Sequence, residues 1–140
     1  MDVDANKAIV RRLYDEGFNR CDLALLDELL APAFVDRTAS PGQAPGAAGI
    51  KDAWRWFHAA FPDAHITVDE LIAEGDQIAA CVTMRGTHHG AFLGVPPTGK
   101  TVAVNGLEFC RIAGGKIVEL RSEFGTLGAL RQLGVSPQWS

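Results

Sequence analysis

The sequence predicts an α+β fold in which a curved antiparallel sheet forms a cone-shaped barrel packed against N-terminal helices. Helical periodicity occurs within residues 4–61, whereas alternating patterns rich in β-branched residues occur within residues 65–124. Helices followed by a run of strands are typical of α+β proteins. The length of 140 residues predicts one domain, 1–140. A sheet that curls around helices leaves a cavity suited to a small molecule.

Three helices are predicted before the sheet. The first runs from a cap at Asp4 to about Glu16, and Gly17 is expected to stop it. The second follows a cap at Asp22 and ends before Pro32. The third carries an apolar stripe at helical spacing, formed by Ile50, Trp54, Phe57 and Phe61.

The strands form two predicted hairpins. Residues 65–90 turn at Glu74–Asp76, and residues 101–124 turn at Ala113–Gly115. A short amphipathic helix is expected at 126–135. Before the third helix, residues 38–49 contain two prolines and three glycines and predict a loop. This loop is either a lid over a pocket or an ordinary surface crossing.

Residues 94–101, GVPPTGKT, match the phosphate-binding loop pattern letter for letter. That loop binds phosphate through consecutive backbone N–H groups at the start of a helix. Here Pro96 and Pro97 lack an N–H group, and an alternating strand pattern follows Lys100. We therefore interpret the segment as a connection between two strands.

Charge and composition argue against several classes of function. The net charge of −4, with both signs mixed along the chain, predicts no nucleic-acid partner. No apolar run reaches the roughly 18 residues of a membrane span, and a signal-peptide pattern is missing. Three widely spaced cysteines predict reduced thiols and a cytoplasmic location. His88 and His89 are adjacent and would point to opposite faces of a strand, so no metal site is predicted.

Paired acid and base side chains in an apolar pocket remain as possible chemistry. Within 116–124, Ser122 shares the apolar face, and the opposite row of charged residues is expected to face solvent or a second subunit. Glu108 is flanked by apolar residues. It is either a surface or dimer-contact glutamate, or a pocket base whose basicity is raised by desolvation.

A series of short segments occurs in a recognisable order and spacing. They are 31–36 (APAFVD), 60–63 (AFPD), 73–76 (AEGD), 86–90 (GTHHG), 92–100 (FLGVPPTGK) and 115–119 (GKIVE). Together they resemble the SnoaL-like polyketide cyclase family, or ester cyclases, of the nuclear transport factor 2-like superfamily. The resemblance implies a deep apolar pocket, no cofactor and a homodimer. It also implies an aspartate that abstracts a proton α to a carbonyl, so that an aromatic polyketide methyl ester closes a ring by aldol condensation.

The family places this aspartate in a Glu-His-Trp-Asp segment, where the present chain has Glu119, Leu120, Arg121 and Ser122. A serine without an adjacent base cannot act as a general base near neutral pH. Arg37 stands where the family often has a histidine, and Cys81 where it often has an arginine. These departures predict a changed catalytic set.

We expect proton transfer by His88, Glu108 and Asp36 on a hydrophobic, oxygenated, polyketide-like molecule, as an aldol cyclisation, isomerisation or related reaction. For His88 the alternative is a structural role in which it pins the loop that follows it. The other residues expected to contact the substrate are Ser122, Arg37, Trp54, Phe57, His58, Met84 and Leu120. Two alternatives stay open. One is water activation of the epoxide-hydrolase kind by Glu108, Asp36 and Arg37. The other is a non-catalytic binding protein, consistent with the loss of the family aspartate at Ser122.

Overall fold

The computed structural model describes residues 2–136 and consists of helices packed on one face of a five-stranded sheet. The helices are α1 (Val3–Arg12), α2 (Leu23–Leu29), α3 (Gly46–Ala60) and α4 (Thr126–Gln132), and a π-helical segment, Leu13–Phe18, continues α1. The strands are β1 (Leu30–Asp36), β2 (His65–Glu74), β3 (Gln77–Thr87), β4 (Thr101–Ala113) and β5 (Lys116–Phe124). None of the described helices is long and apolar enough to cross a bilayer.

The strand order is β1-β5-β4-β3-β2. The two predicted hairpins, β2–β3 and β4–β5, are present, and β3 pairs with β4 in a long antiparallel register. The short extended piece after α2 is β1, which pairs with β5 in parallel. The α+β class is therefore confirmed, but within the described residues the sheet does not close into a barrel. β1 and β2 remain its edges, and the helices cover the concave face instead.

The start and end of the first helix differ from the prediction. The cap is Asp2, whose carboxylate accepts a hydrogen bond from the Ala5 N–H group at 3.1 Å, and Asp4 lies in the first turn. Gly17 does not stop the helix, because the π-helical segment runs through it to Phe18. The wider turn buries Leu13, Tyr14 and Phe18 together against the sheet.

The second helix begins as predicted, with the Asp22 carboxylate accepting a hydrogen bond from the Leu25 N–H group. The helix ends at Leu29. Leu30, which lies before Pro32 and was expected to be helical, is the first residue of β1. Residues 94–100 connect β3 to β4, and no helix follows Lys100. The interpretation of GVPPTGKT as a strand connection is thus confirmed.

The concave face of the sheet is set by strict alternation in the central strand β4. Val102, Val104, Gly106, Glu108 and Cys110 are buried under the helices, whereas the residues between them are exposed or partly exposed. Alternation follows from the two-residue repeat of a strand. It places one carboxyl group, that of Glu108, on an otherwise apolar inner face.

Candidate active site

A cavity of about 300 Å³ lies between the concave face of the sheet and the helices. Its walls are mainly apolar: Phe18, Trp54 and Phe57 come from the helical side, and Met84 and Leu120 come from the strands. Four of these five residues, namely Trp54, Phe57, Met84 and Leu120, are among those expected from the sequence to contact the substrate. Phe18 was not expected there.

Glu108 reaches this cavity from the middle of the sheet. Its side chain is only 7% exposed, and its Cα partners on the neighbouring strands are Ala80 and Ser122. Burial raises the pKa of Glu108 from 4.5 to about 7, because the charged form loses its solvation. The charge of Asp36 raises this pKa further, and the neighbouring Tyr14 hydroxyl partly opposes the rise. A carboxyl group with a pKa near neutrality exchanges protons readily at neutral pH.

Tyr14 lies beside Glu108 in the cavity wall and was not expected at the site. The side chain is 2% exposed, and its hydroxyl has no hydrogen-bond partner of ordinary geometry among residues 2–136. It nevertheless interacts with the Glu108 carboxyl, whose pKa it lowers in part. Burial, and then the nearby Glu108 and Cys110, hold the pKa of the Tyr14 phenol well above 10, so it keeps its proton.

Tyr14 went unnoticed because its place in the helical pattern is that of a core residue, and its ring is indeed in the core. The only signal in the sequence is that the sole tyrosine of the chain stands within an apolar stripe. Buried tyrosine hydroxyls usually have a partner. This generalisation points to Tyr14 only once the structure shows that its hydroxyl has no hydrogen-bond partner among the described residues.

Asp36 lies at the rim of the cavity and anchors the loop between β1 and α3. One carboxylate oxygen accepts hydrogen bonds from the Thr38 N–H group at 3.0 Å and the Thr38 hydroxyl at 3.1 Å. The other accepts one from the Gln43 amide at 3.0 Å. Thr38, Ser40 and Gln43 all line the cavity, so the first part of the predicted loop passes along its rim, whereas residues 46–49, also predicted as loop, belong to α3. Three donors therefore fix the Asp36 carboxylate at the end of β1.

Ser122 also lines the cavity, directly across the β4–β5 ladder from Glu108. Its backbone N–H group donates to the Thr38 hydroxyl at 2.9 Å, which links β5 to the loop. No hydrogen bond joins its own hydroxyl to a base among the described residues. Ser122 is therefore a polar wall residue and has no activated nucleophile character.

Arg37 and Cys81 lie outside the cavity. The Arg37 side chain donates to the Glu119 carboxylate at 3.1 Å on the outer side of the sheet, because neighbouring residues of a strand point to opposite faces. Cys81 lies opposite Leu107, a strongly exposed residue of the outer face. The set of Glu108, Asp36 and Arg37 needed for water activation is thus not assembled in one place.

His88 is fully buried but does not line the cavity. Its Nδ1 atom accepts a hydrogen bond from the Thr98 N–H group at 3.1 Å, and its backbone bonds to Lys100 and Gly99. Because an amide N–H group can only donate, the proton of the neutral ring is on Nε2. His88 holds the β3–β4 connection in place, which agrees with the structural alternative rather than with the expected proton transfer.

His58 is likewise a structural residue. Its Nε2 atom donates a hydrogen bond to the Phe18 carbonyl at 2.7 Å, and its ring packs on the Phe18 ring at a centroid distance of 4.7 Å. This bond satisfies a carbonyl at the end of the π-helical segment. His58 supports the wall through Phe18 and is not itself part of the cavity lining.

Comparison with known proteins assigns the chain to a family. The sequence model of the SnoaL-like polyketide cyclase family matches residues 8–133. The chain belongs to the SnoaL-like polyketide cyclase family. The resemblance expected from the sequence is thereby confirmed, and so is the nuclear transport factor 2-like fold, because the solved structures that match share it.

Members of the family with cyclase names are among the relatives. Aklanonic acid methyl ester cyclase DnrD of Streptomyces peucetius is 34% identical over 80 residues, which cover 56% of this chain and 55% of DnrD. Nogalonic acid methyl ester cyclase of Streptomyces nogalater is 28% identical over 111 residues, covering 78% of this chain and 83% of that protein. The first match therefore spans only about half of the relative's length.

Among solved structures, IdmH, a candidate polyketide cyclase of Streptomyces antibioticus, is 36% identical. The match has a TM-score of 0.82 and covers 93% of this chain and 99% of IdmH. TsrD of Streptomyces laurentii is 28% identical with a TM-score of 0.86. The family fold thus extends over nearly the whole chain.

Proposed function

We propose that this protein is a cofactor-independent enzyme that moves protons on a hydrophobic, oxygenated, polyketide-like molecule and closes a ring by an aldol-type reaction. The observation that carries the proposal is the Glu108 carboxyl group, buried in the cavity with a pKa of about 7. A general base works best when its pKa lies near the working pH.

Glu108 is suited to replace the aspartate that the family pattern places at Ser122. The two residues are Cα partners on β4 and β5, and directly opposite side chains start only about 5 Å apart. The glutamate side chain is also one methylene longer than that of aspartate. A carboxyl group on the neighbouring strand can therefore serve nearly the same point of the cavity.

The reaction follows from these groups. The Glu108 carboxylate takes a proton from a carbon α to a carbonyl, and the electron pair of that C–H bond moves to the carbonyl oxygen. The resulting enolate attacks a second carbonyl carbon of the same molecule, forming the ring C–C bond and an alkoxide. The alkoxide receives a proton, so the product is an isomer of the substrate.

The apolar wall and the names of the relatives suggest the substrate class. Phe18, Trp54, Phe57, Met84 and Leu120 favour a flat hydrophobic molecule, and polar groups at the rim can bind its oxygen atoms. The matching cyclases are named for aklanonic acid methyl ester and nogalonic acid methyl ester. We propose related aromatic polyketide methyl esters as substrates.

Incubation with these two esters in D₂O, followed by liquid chromatography and mass spectrometry, tests the proposal. Wild type should form an isomeric product, and recovered ester should carry deuterium at the α carbon wherever the enolate is reprotonated before the ring closes. Glu108→Gln should lower turnover by about 100-fold or more. Glu74→Gln, which changes an exposed glutamate, is the matched control. Adding Ser122→Asp to Glu108→Gln should restore part of the activity by returning a carboxylate from β5.

Undiminished turnover in Glu108→Gln would exclude Glu108 as the base. Binding of the esters to wild type without product or deuterium exchange would instead favour the non-catalytic binding protein. The two outcomes can be distinguished, because binding is measured independently by the change in tryptophan fluorescence, to which the wall residue Trp54 contributes.

We also propose that the protein is a homodimer formed through the outer face of the sheet. Ile72, Leu107 and Phe109 are each more than half exposed there. Leu107 lies opposite Glu123 and Phe109 opposite Arg121 in the β4–β5 ladder. An apolar patch with both charge signs beside it is self-complementary, as a two-fold interface requires.

A further inference from the structure

Tyr14 carries a polar group that the fold leaves unused. Its hydroxyl is buried in the cavity wall and has no hydrogen-bond partner among residues 2–136. Buried polar groups are almost always hydrogen-bonded, because an unpaired one loses its solvation without compensation. The ring alone would fill the same space as phenylalanine, so packing does not explain the hydroxyl.

The position of the hydroxyl points to a ligand atom as its partner. Tyr14 and Glu108 lie side by side and face the same cavity, one from the helices and one from the sheet. Glu108 is exposed to the cavity only through a small part of its surface. A ligand that reaches the carboxyl group therefore also comes within reach of the phenol.

We propose that Tyr14 donates a hydrogen bond to the oxygen of the ligand's carbonyl group, next to the carbon that Glu108 deprotonates. This inference rests on the proposed function for the role of Glu108. The C–H proton goes to the Glu108 carboxylate, and the electron pair moves through the new C=C bond to the oxygen. The Tyr14 proton stays on the phenol and stabilises the enolate oxygen by hydrogen bonding. The site is thereby specific for molecules that present an enol or enolisable carbonyl oxygen at this point.

A stable enol analogue tests this assignment without any turnover. In 2-naphthol the hydroxyl group stands on an apolar bicyclic frame, and naphthalene has the same frame without the oxygen. Tyr14 donates to the naphthol oxygen, and the Glu108 carboxylate accepts its proton. Wild type should therefore bind 2-naphthol more tightly than naphthalene, as measured by isothermal titration calorimetry.

Tyr14→Phe should weaken 2-naphthol binding by about tenfold, the effect of one lost hydrogen bond, and leave naphthalene binding unchanged. Its melting temperature should stay the same or rise, because the hydroxyl it removes is unpaired in the free protein. A merely structural hydroxyl would instead lower the melting temperature and affect both ligands alike.

Two results would overturn the assignment: wild type binding both ligands equally, or Tyr14→Phe keeping full affinity for 2-naphthol. The outcome is distinct from that of the proposed function, because 2-naphthol undergoes no cyclisation. Tyr14-dependent binding together with no turnover of any ester would retain the oxygen site and reject the enzyme. Turnover that depends on Glu108 but not on Tyr14 would support the proposed enzyme and reject the proposed oxygen site at Tyr14.

Discussion

At the scale of the residue, Glu108 and Tyr14 are costly to the folded protein. Burial disfavours the charged form of Glu108, and the Tyr14 hydroxyl lacks a partner. Each feature lowers stability in the free protein. Costs of this kind are common at functional sites, where groups are arranged for a ligand rather than for the fold.

The raised pKa of Glu108 makes the free energy of unfolding depend on pH. The folded protein keeps the Glu108 proton up to a pKa of about 7, whereas the unfolded chain releases it near 4.5. Stability from this group is therefore complete below pH 4.5 and is lost as the pH rises through 7. The loss amounts to about 3 kcal/mol, at about 1.4 kcal/mol per unit of pKa.

Urea denaturation at pH 4.5 and pH 8 measures this dependence. Glu108→Gln should remove about 3 kcal/mol of the difference between the two pH values, and Glu74→Gln should leave it unchanged. The charge of Asp36 raises the pKa of Glu108 and the Tyr14 hydroxyl lowers it, whereas Glu108 in turn raises the pKa of the Cys110 thiol. Equal pH dependence in wild type and Glu108→Gln would show that the carboxyl group titrates like an exposed one.

At the scale of the element, the π-helical segment and α3 together form the helical wall of the cavity. Gly17 allows the close approach: a Cβ atom at this position would lie 2.8 Å from the outer edge of the Trp54 ring. The ring of Trp54 in turn packs edge-on against Phe18 at a centroid distance of 5.7 Å. A π-helical turn next to a functional cavity is a recurring arrangement.

Replacement of Gly17 by alanine should displace Trp54 and lower the free energy of unfolding by about 1–3 kcal/mol, despite the higher helix propensity of alanine. Gly128→Ala in α4 is the matched control, because a Cβ atom there meets no atom within 4 Å. The control should be neutral or stabilise by about 0.5–1 kcal/mol. Equilibrium denaturation of both variants decides the point. If both substitutions raised the free energy of unfolding equally, Trp54 would be able to move away from the new Cβ atom without loss of stability.

At the scale of the whole molecule, the sheet has two faces with different roles. The concave face carries the cavity, and the outer face carries the exposed residues Ile72, Leu107 and Phe109. An antiparallel sheet usually presents a polar outer face to solvent. Exposed apolar side chains on such a face support the proposed contact with a second copy of the chain.

Phe109→Glu should convert the proposed dimer into a monomer, because two glutamates would face each other near the two-fold axis without solvation. Analytical ultracentrifugation measures the mass, and circular dichroism checks that the variant is folded. Leu93→Asn is the control, since Leu93 is equally exposed but lies in the β3–β4 connection at a φ of 48°. A monomeric wild type, or a Phe109→Glu variant that stays dimeric, would contradict the proposed interface.

The sequence alone determined the helices of the N-terminal half, the two hairpins and the strand connection at 94–100. These features depend on local periodicity and on glycine and proline at turns, so neighbouring residues suffice to predict them. The family also followed from motifs read along the chain. The segment resembling a phosphate loop was resolved by the same local reasoning, since Pro96 and Pro97 lack N–H groups.

Only the tertiary structure decided which polar groups meet. Tyr14 and Glu108 are far apart in the chain, and they become neighbours because the π-helical segment and the inner face of β4 border the same cavity. His88 and Arg37 stood in equally suggestive segments, yet one holds a loop and the other faces outward. The direction of a side chain depends on the packing of distant elements and on strand register. A local sequence pattern contains neither kind of information, so the fold could be predicted from the sequence, whereas the set of polar groups that share the cavity could not.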